Sequence, residues 1–181
     1  MPHFAVLLRG VNVGKGNRVP MAELRDLLAE LGYTEVRTLL NSGNAVVTSS
    51  DPSPYQHSKA IAAALLARLE LSVPVIVKTA KDFGEIMSSA PPPPPEDEHS
   101  RYFIAYVQDP GSLRDLAPIS KLVAPPERFS IGQLAAYMYC PAGALESKAG
   151  SALLGKAGRA ATTRNWSTSL KLAKLLGESA G

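Results

Sequence analysis

Residues 35–48 read EVRTLLNSGNAVVT, and this stretch decides the fold. Glu35 to Leu40 and Ala45 to Thr48 carry the β-branched and apolar residues of strands. Asn41-Ser42-Gly43-Asn44 between them is turn chemistry, because Asn and Gly tolerate the left-handed backbone that a tight hairpin needs. A hairpin at this point needs a partner strand and a covering helix on each side, and the flanks supply both.

Upstream, Phe4 to Leu8 is a short continuous apolar run and predicts a buried strand. Met21, Leu24, Leu27, Leu28 and Leu31 recur at helical spacing, with Pro20 suited to the first turn and Gly32 to the stop. Downstream, Tyr55 to Leu71 is rich in alanine and leucine and predicts a second helix; Val73 to Val77 predicts a strand. The order β-α-β-β-α-β is that of a ferredoxin-like antiparallel sheet with helices on one face.

After a short helix between Lys81 and Ser88 comes Pro91 to Pro95, which is neither helix nor central strand. With Glu96, Asp97 and Glu98 it reads as an extended, solvated connector. The rest echoes the first half: a strand over Tyr102 to Val107, a weak helix over Leu113 to Ala117, a strand pair at Arg128 to Ile131 and Leu134 to Tyr139, then helices near Glu146 to Gly155 and Trp166 to Leu176. This second half ends in an extra helix where a final strand is due. The expected organisation is α+β: a ferredoxin-like subdomain over 1–90, a proline-rich linker over 91–98, and a second α+β subdomain over 99–181 with a C-terminal helix.

Composition excludes several classes. The 181 residues are 45% hydrophobic, enough to bury a core, but hold no run near the ~20 apolar residues of a membrane helix. No signal-peptide core stands at the start, and Cys140 is the single cysteine, which together favour the cytoplasm. Three scattered histidines and one cysteine argue against a metal site, and no cofactor is expected. There is no Gly-x-Ser-x-Gly elbow, Walker loop or dinucleotide fingerprint, so an enzyme assignment stays open. Net charge is only +3, though Lys148, Lys156, Arg159, Arg164, Lys171 and Lys174 make the tail locally basic.

Three polar segments are candidate ligand sites. The first, Arg9 to Arg18, joins a strand end to a helix start. Gly10, Gly14 and Gly16 let backbone approach a ligand, and Lys15 and Arg18 add charge beside the helix dipole, which suits a phosphate or carboxylate. A plain connecting loop accounts for the same residues. The second is the Asn41 to Asn44 turn: a tight hairpin needs these residues in any case, and amides left unused at the adjacent strand ends could read a polar ligand. The third is Thr162 to Thr168, where Thr163 or Asn165 would cap a helix and Arg164 would stand unfavourably at its positive end unless an anion paired with it. The expected ligand-binding set is Arg9, Asn12, Gly14, Lys15, Asn41, Ser42, Asn44, Arg164 and Asn165, lining a cleft between subdomains around a small anionic ligand. Two other readings stay open. One is RNA or single-strand binding through Tyr102, Phe103, Tyr106, Tyr137 and Tyr139. The other is a protein-interaction module, with oligomeric state unspecified.

Leu8 to Gly14 (LRGVNVG), Pro20 to Leu24 (PMAEL), Asn41 to Asn44 and Thr163 to Trp166 (TRNW), taken in order, resemble the bacterial domain-of-unknown-function 1697 family. The resemblance implies two ferredoxin-like α+β subdomains and no activity. Gly14-Lys15-Gly16 stands where the family pattern has Gly-Gly, and the proline run is longer.

Overall fold

A computed structural model describes residues 1–179. In chain order the regular elements of the first half are β1 (His3–Leu8), α1 (Met21–Glu30), β2 (Thr34–Leu39), β3 (Asn44–Thr48), α2 (Pro54–Leu69), β4 (Val75–Thr79) and α3 (Ala80–Ser88). The second half has β5 (Tyr102–Val107), β6 (Arg128–Ile131), β7 (Ala135–Tyr139), α4 (Lys148–Leu154), β8 (Ala161–Asn165) and α5 (Trp166–Ser179). The chain forms two compact units, one of Met1–Phe83 with the stretch from Leu172 onward, the other of Gly84–Lys171.

The first unit holds a four-stranded sheet in the order β2-β3-β1-β4, antiparallel at every pairing. That order follows from the β-α-β-β-α-β sequence: each helical crossover places its strand one position away, and the hairpin fills the gap. The pleat sends Phe4, Val6 and Leu8 of β1 to one side. There they meet Leu24, Leu27 and Leu28 of α1 and Ile61 and Leu65 of α2, all buried. Each such side chain contributes roughly 1.5–3 kcal/mol. Ala5 and Leu7 on the opposite side are buried as well, which is why β1 reads as an unbroken apolar run.

The helix ends follow local rules. Ser53 caps α2 by accepting from the Gln56 amide at 3.3 Å, and Glu70 ends it in the left-handed region. Gly32, at φ +92°, ends the turn after α1. Inside the unit, His57 is buried against Phe4 with its ring edge-on at 4.6 Å. His57 Nε2 lies 2.9 Å from the Asp51 carbonyl, which can only accept, so in the neutral ring Nδ1 accepts from the Tyr33 hydroxyl at 2.7 Å. Burial, reinforced by Asp51, pushes the Tyr33 phenol up to about 12 and keeps it a donor.

The second unit repeats the topology, with sheet order β6-β7-β5-β8, again antiparallel throughout. A 3-10 stretch over Pro110–Leu122, with Pro118 inside it, takes the place of the first crossover helix. Proline within the run forbids a regular α-helix there. Leu113, Leu116 and Ile119 pack with Ala105, Val107, Met138 and Cys140. The missing final strand is present after all: Ala161–Asn165 is β8, paired along β5 with Arg164 opposite Ile104. Its sequence, Ala-Thr-Thr-Arg-Asn, has β-branched residues but no apolar run, so periodicity alone points to a loop. Pro91 to Pro95 falls inside this second unit, with Pro94 buried, and Glu96–Arg101 winds into a 3-10 turn. Among the described residues no helix is long and apolar enough to cross a membrane.

The Tyr33–His57 contact makes a quantitative prediction. Tyr33→Phe leaves a buried imidazole nitrogen without its donor, and urea denaturation is expected to show a loss of roughly 1–3 kcal/mol. An unchanged midpoint would mean that the pair carries no stability.

Candidate functional site

The loop after β1 is closed by its own backbone. The Asn12 amide donates to the Asn17 carbonyl at 2.7 Å, and the Gly16 amide to the Val13 carbonyl at 2.9 Å. Gly10, Asn12 and Gly14 have φ of +68°, +57° and +53°, while Val11 and Val13 between them do not have positive φ. Left-handed residues alternating with others are the kind of backbone in which nests, loops whose successive N–H groups share one concave side, are found. Among the described residues the N–H groups of Val13, Gly14 and Lys15 have no acceptor within the protein.

Asn12 is the fastener. Its side-chain amide donates to the Val19 carbonyl at 2.8 Å and to the Asn41 carbonyl at 2.6 Å, and its Oδ1 accepts from the Val19 amide at 2.9 Å. The first two segments singled out in the sequence are thereby joined. Gly43 seals the joint: its carbonyl accepts from the Leu8 amide at 2.9 Å, and a Cβ there would lie 2.6 Å from Val11 Cγ2 and 2.8 Å from Leu8 Cβ. At φ +82° only glycine is unstrained.

The expectation of unused turn amides fails for Asn44. It is fully buried, and its amide donates to the Leu39 carbonyl at 3.0 Å and the Ser42 hydroxyl at 2.8 Å, so it closes the hairpin rather than facing a ligand. A strand end buried on one side must satisfy its polar groups internally. Arg18, though exposed, is engaged within the loop, donating to the Gly14 carbonyl at 2.7 Å. Lys15 is exposed and Arg9 half-buried. Burial lowers the Arg9 guanidinium from its ordinary value. α1 starts at Pro20 with no side-chain cap on its amides.

Arg164 and Asn165 lie in the second unit and have different surroundings from those expected. Arg164 is not at a helix start but inside β8, 8% exposed, donating to the Thr162 hydroxyl at 2.8 Å and the Thr163 carbonyl at 2.9 Å. The conflict with the helix dipole therefore does not arise. Burial lowers its guanidinium to about 10, which leaves it charged at neutral pH. Asn165 Oδ1 caps α5, accepting from the Thr168 amide at 2.9 Å.

The aromatics of the second unit are mostly enclosed. Tyr102, Tyr106 and Tyr137 are buried, with hydroxyls donating to the Pro91 carbonyl, the Ser169 hydroxyl and the Ile86 carbonyl. Burial pushes Tyr102 and Tyr137 up to about 12. Cys140 is buried too, and desolvation raises its thiol above the ordinary value. No group of His, Cys, Asp and Glu among the described residues is arranged to hold a metal ion. Sequence reading missed the three open amides of Val13 to Lys15, because backbone donors carry no residue signature. The spacing of Gly10, Asn12 and Gly14 was the one available signal, since glycine and asparagine both tolerate positive φ.

Residues 1–137 match the family described as "Protein of unknown function (DUF1697)". Among solved structures, the conserved bacterial protein SP0830 from Streptococcus pneumoniae is similar to this chain. It is 25% identical with a TM-score of 0.78, over 97% of this chain and 98% of that one. No curated protein matches the chain.

Asn12→Ala removes three hydrogen bonds at the joint. It should cost roughly 1–3 kcal/mol in urea unfolding and speed amide exchange at Asn17 and Val19. Gly43→Ala should cost a similar amount, roughly 1–3 kcal/mol, through strain and contact with Leu8. Cys140 should resist thiol reagents in the native protein and react only after denaturation; rapid native labelling would contradict its enclosure.

Proposed function

The chain belongs to the DUF1697 family, and from the geometry of its first loop we propose that it binds a small phosphate- or carboxylate-bearing ligand at Arg9 to Arg18. The observation that carries this reading is the alternation of positive φ at Gly10, Asn12 and Gly14, with the Val13, Gly14 and Lys15 amides left open. Such amides take an anion's oxygens without a side chain having to move.

The roles divide by chemistry. The Val13, Gly14 and Lys15 amides contact the anion. The Lys15 ammonium, exposed beside them, supplies charge, and the half-buried Arg9 guanidinium adds a second cation partly withdrawn from water. The uncapped start of α1 contributes the positive end of its dipole. Asn12, Asn41, Ser42 and Asn44 hold the loop in shape rather than touching ligand. Arg164 and Asn165 satisfy internal hydrogen bonds in the second unit and have no part in the reading. A buried lone cysteine fits the cytoplasm as the place of action. A nucleic-acid reading has less to stand on, since Tyr102, Tyr106 and Tyr137 are buried and present no open surface on which successive bases could stack.

Titration of the protein with inorganic phosphate, followed by amide resonances, tests the assignment. Saturable shifts at Val13, Gly14 and Lys15 are expected, weakening with added salt. Lys15→Ala should reduce affinity by roughly two- to fivefold, the scale of one exposed charge. If those amides stay fixed with phosphate and with acetate, the proposal is wrong.

A further inference from the structure

The second unit carries a different site on its sheet. In antiparallel pairing, residues directly opposite one another point to the same side. Tyr102 of β5 stands opposite Tyr139 of β7; Arg128 and Ser130 of β6 stand opposite Tyr139 and Tyr137. One face thus gathers Tyr102, Tyr137, Tyr139, Arg128 and Ser130. The alternate residues, Phe103, Phe129, Ala136 and Met138, pack with the cluster of Leu113, Leu116 and Ile119. Pro91 and Pro92 lie against the tyrosine face, fixed by the Tyr102 hydroxyl donating to the Pro91 carbonyl at 2.9 Å. Between prolines and sheet is a cavity of about 160 Å³.

The polar ends of its walls are spent. Tyr102 donates to Pro91, Tyr137 to the Ile86 carbonyl at 2.6 Å, and Tyr139 to the Glu98 carboxylate. What the tyrosines turn to the cavity is ring surface, and the prolines add more apolar wall. The volume is close to the ~150 Å³ of apolar cavities that accept benzene. It holds one six-membered ring and is tight for a fused pair. The remaining free polar groups of the lining are at one side. The exposed Arg128 has its guanidinium carbon 4.9 Å from the Tyr139 ring centroid, and it forms no ion pair among the described residues. The Ser130 hydroxyl lies next to it along β6. Glu98 is not among the lining residues.

We propose that this tyrosine–proline cavity binds a small aromatic carboxylate, its ring between Tyr102, Tyr137, Tyr139 and the Pro91-Pro92 wall, its carboxylate on Arg128. The ring replaces water against apolar surface, and a planar guanidinium matches a carboxylate through two parallel hydrogen bonds. Stacking on Tyr139 holds the guanidinium in place before the ligand arrives.

Sodium benzoate is the probe, titrated into the full chain while tyrosine ring resonances are followed. Saturable shifts of Tyr102, Tyr137 and Tyr139 are expected. Arg128→Gln should weaken benzoate by about tenfold and leave neutral benzamide unchanged. Ser130→Phe, at an exposed position of an edge strand, should fill the cavity and abolish binding without lowering the melting temperature. Tyrosine rings that do not respond to benzoate would overturn the proposal. So would undiminished binding in Ser130→Phe, or uridine shifting these rings where benzoate does not.

Discussion

Strand β1 sits in the middle of its sheet with Phe4, Ala5, Val6, Leu7 and Leu8 all fully buried, and the first unit depends on that. A polar side chain on such a strand would have to find its partners inside the protein; these five residues are apolar, and polarity waits for the strand's end. It begins at Arg9. Both neighbours of β1 run antiparallel to it, which brings the β2–β3 turn to the same end as the loop that follows β1. Topology alone therefore sets the Asn41 to Asn44 turn beside Arg9 to Arg18. Asn12 then converts proximity into a fixed shape. Its side chain spends one acceptor and two donor positions on backbone groups of Val19 and Asn41, which ties both ends of the loop to each other and to the turn. In general, a loop held in this way loses less conformational entropy on meeting any partner than one without such a fastener.

The fold was largely legible because its strongest signals are local. The apolar run at Phe4, the helical leucines of α1 and the Asn-Ser-Gly-Asn hairpin each state one element without help from the rest. β8 was not legible. Ala161 to Asn165 is a strand because it completes the edge of a sheet on β5, a fact about pairing and not about its own residues. The same error carried over to Arg164, whose apparent conflict with a helix dipole came from placing it one element too late. The site was legible in part. Glycine and asparagine spacing marked the loop, but the sequence could not show that the Asn44 amide would be consumed inside the hairpin, or that the amides of Val13 to Lys15 would be left open. Hydrogen-bond accounting needs partners distant in sequence, and Asn12 to Asn41 spans 29 residues.

The two units share one strand order and yet differ at the corresponding place. After β1 the chain makes a glycine loop with alternating φ and open amides. After β5 it makes Asp109-Pro110-Gly111, and Asp109 caps its own turn by accepting from the Gly111 amide at 2.9 Å. A carboxylate of the chain itself already accepts from that amide, so the turn after β5 does not leave it open as the loop after β1 leaves Val13 to Lys15. Its distinctive surface lies instead on the sheet, where three tyrosines, an arginine and a proline wall meet. That face exists because strands alternate: the residues not needed for packing with Leu113, Leu116 and Ile119 fall together on the other side. Repetition of a topology thus fixes where sites can be, at strand ends or on a sheet face. The residues at those places decide what each can offer, and here one unit offers open backbone amides and the other aromatic rings.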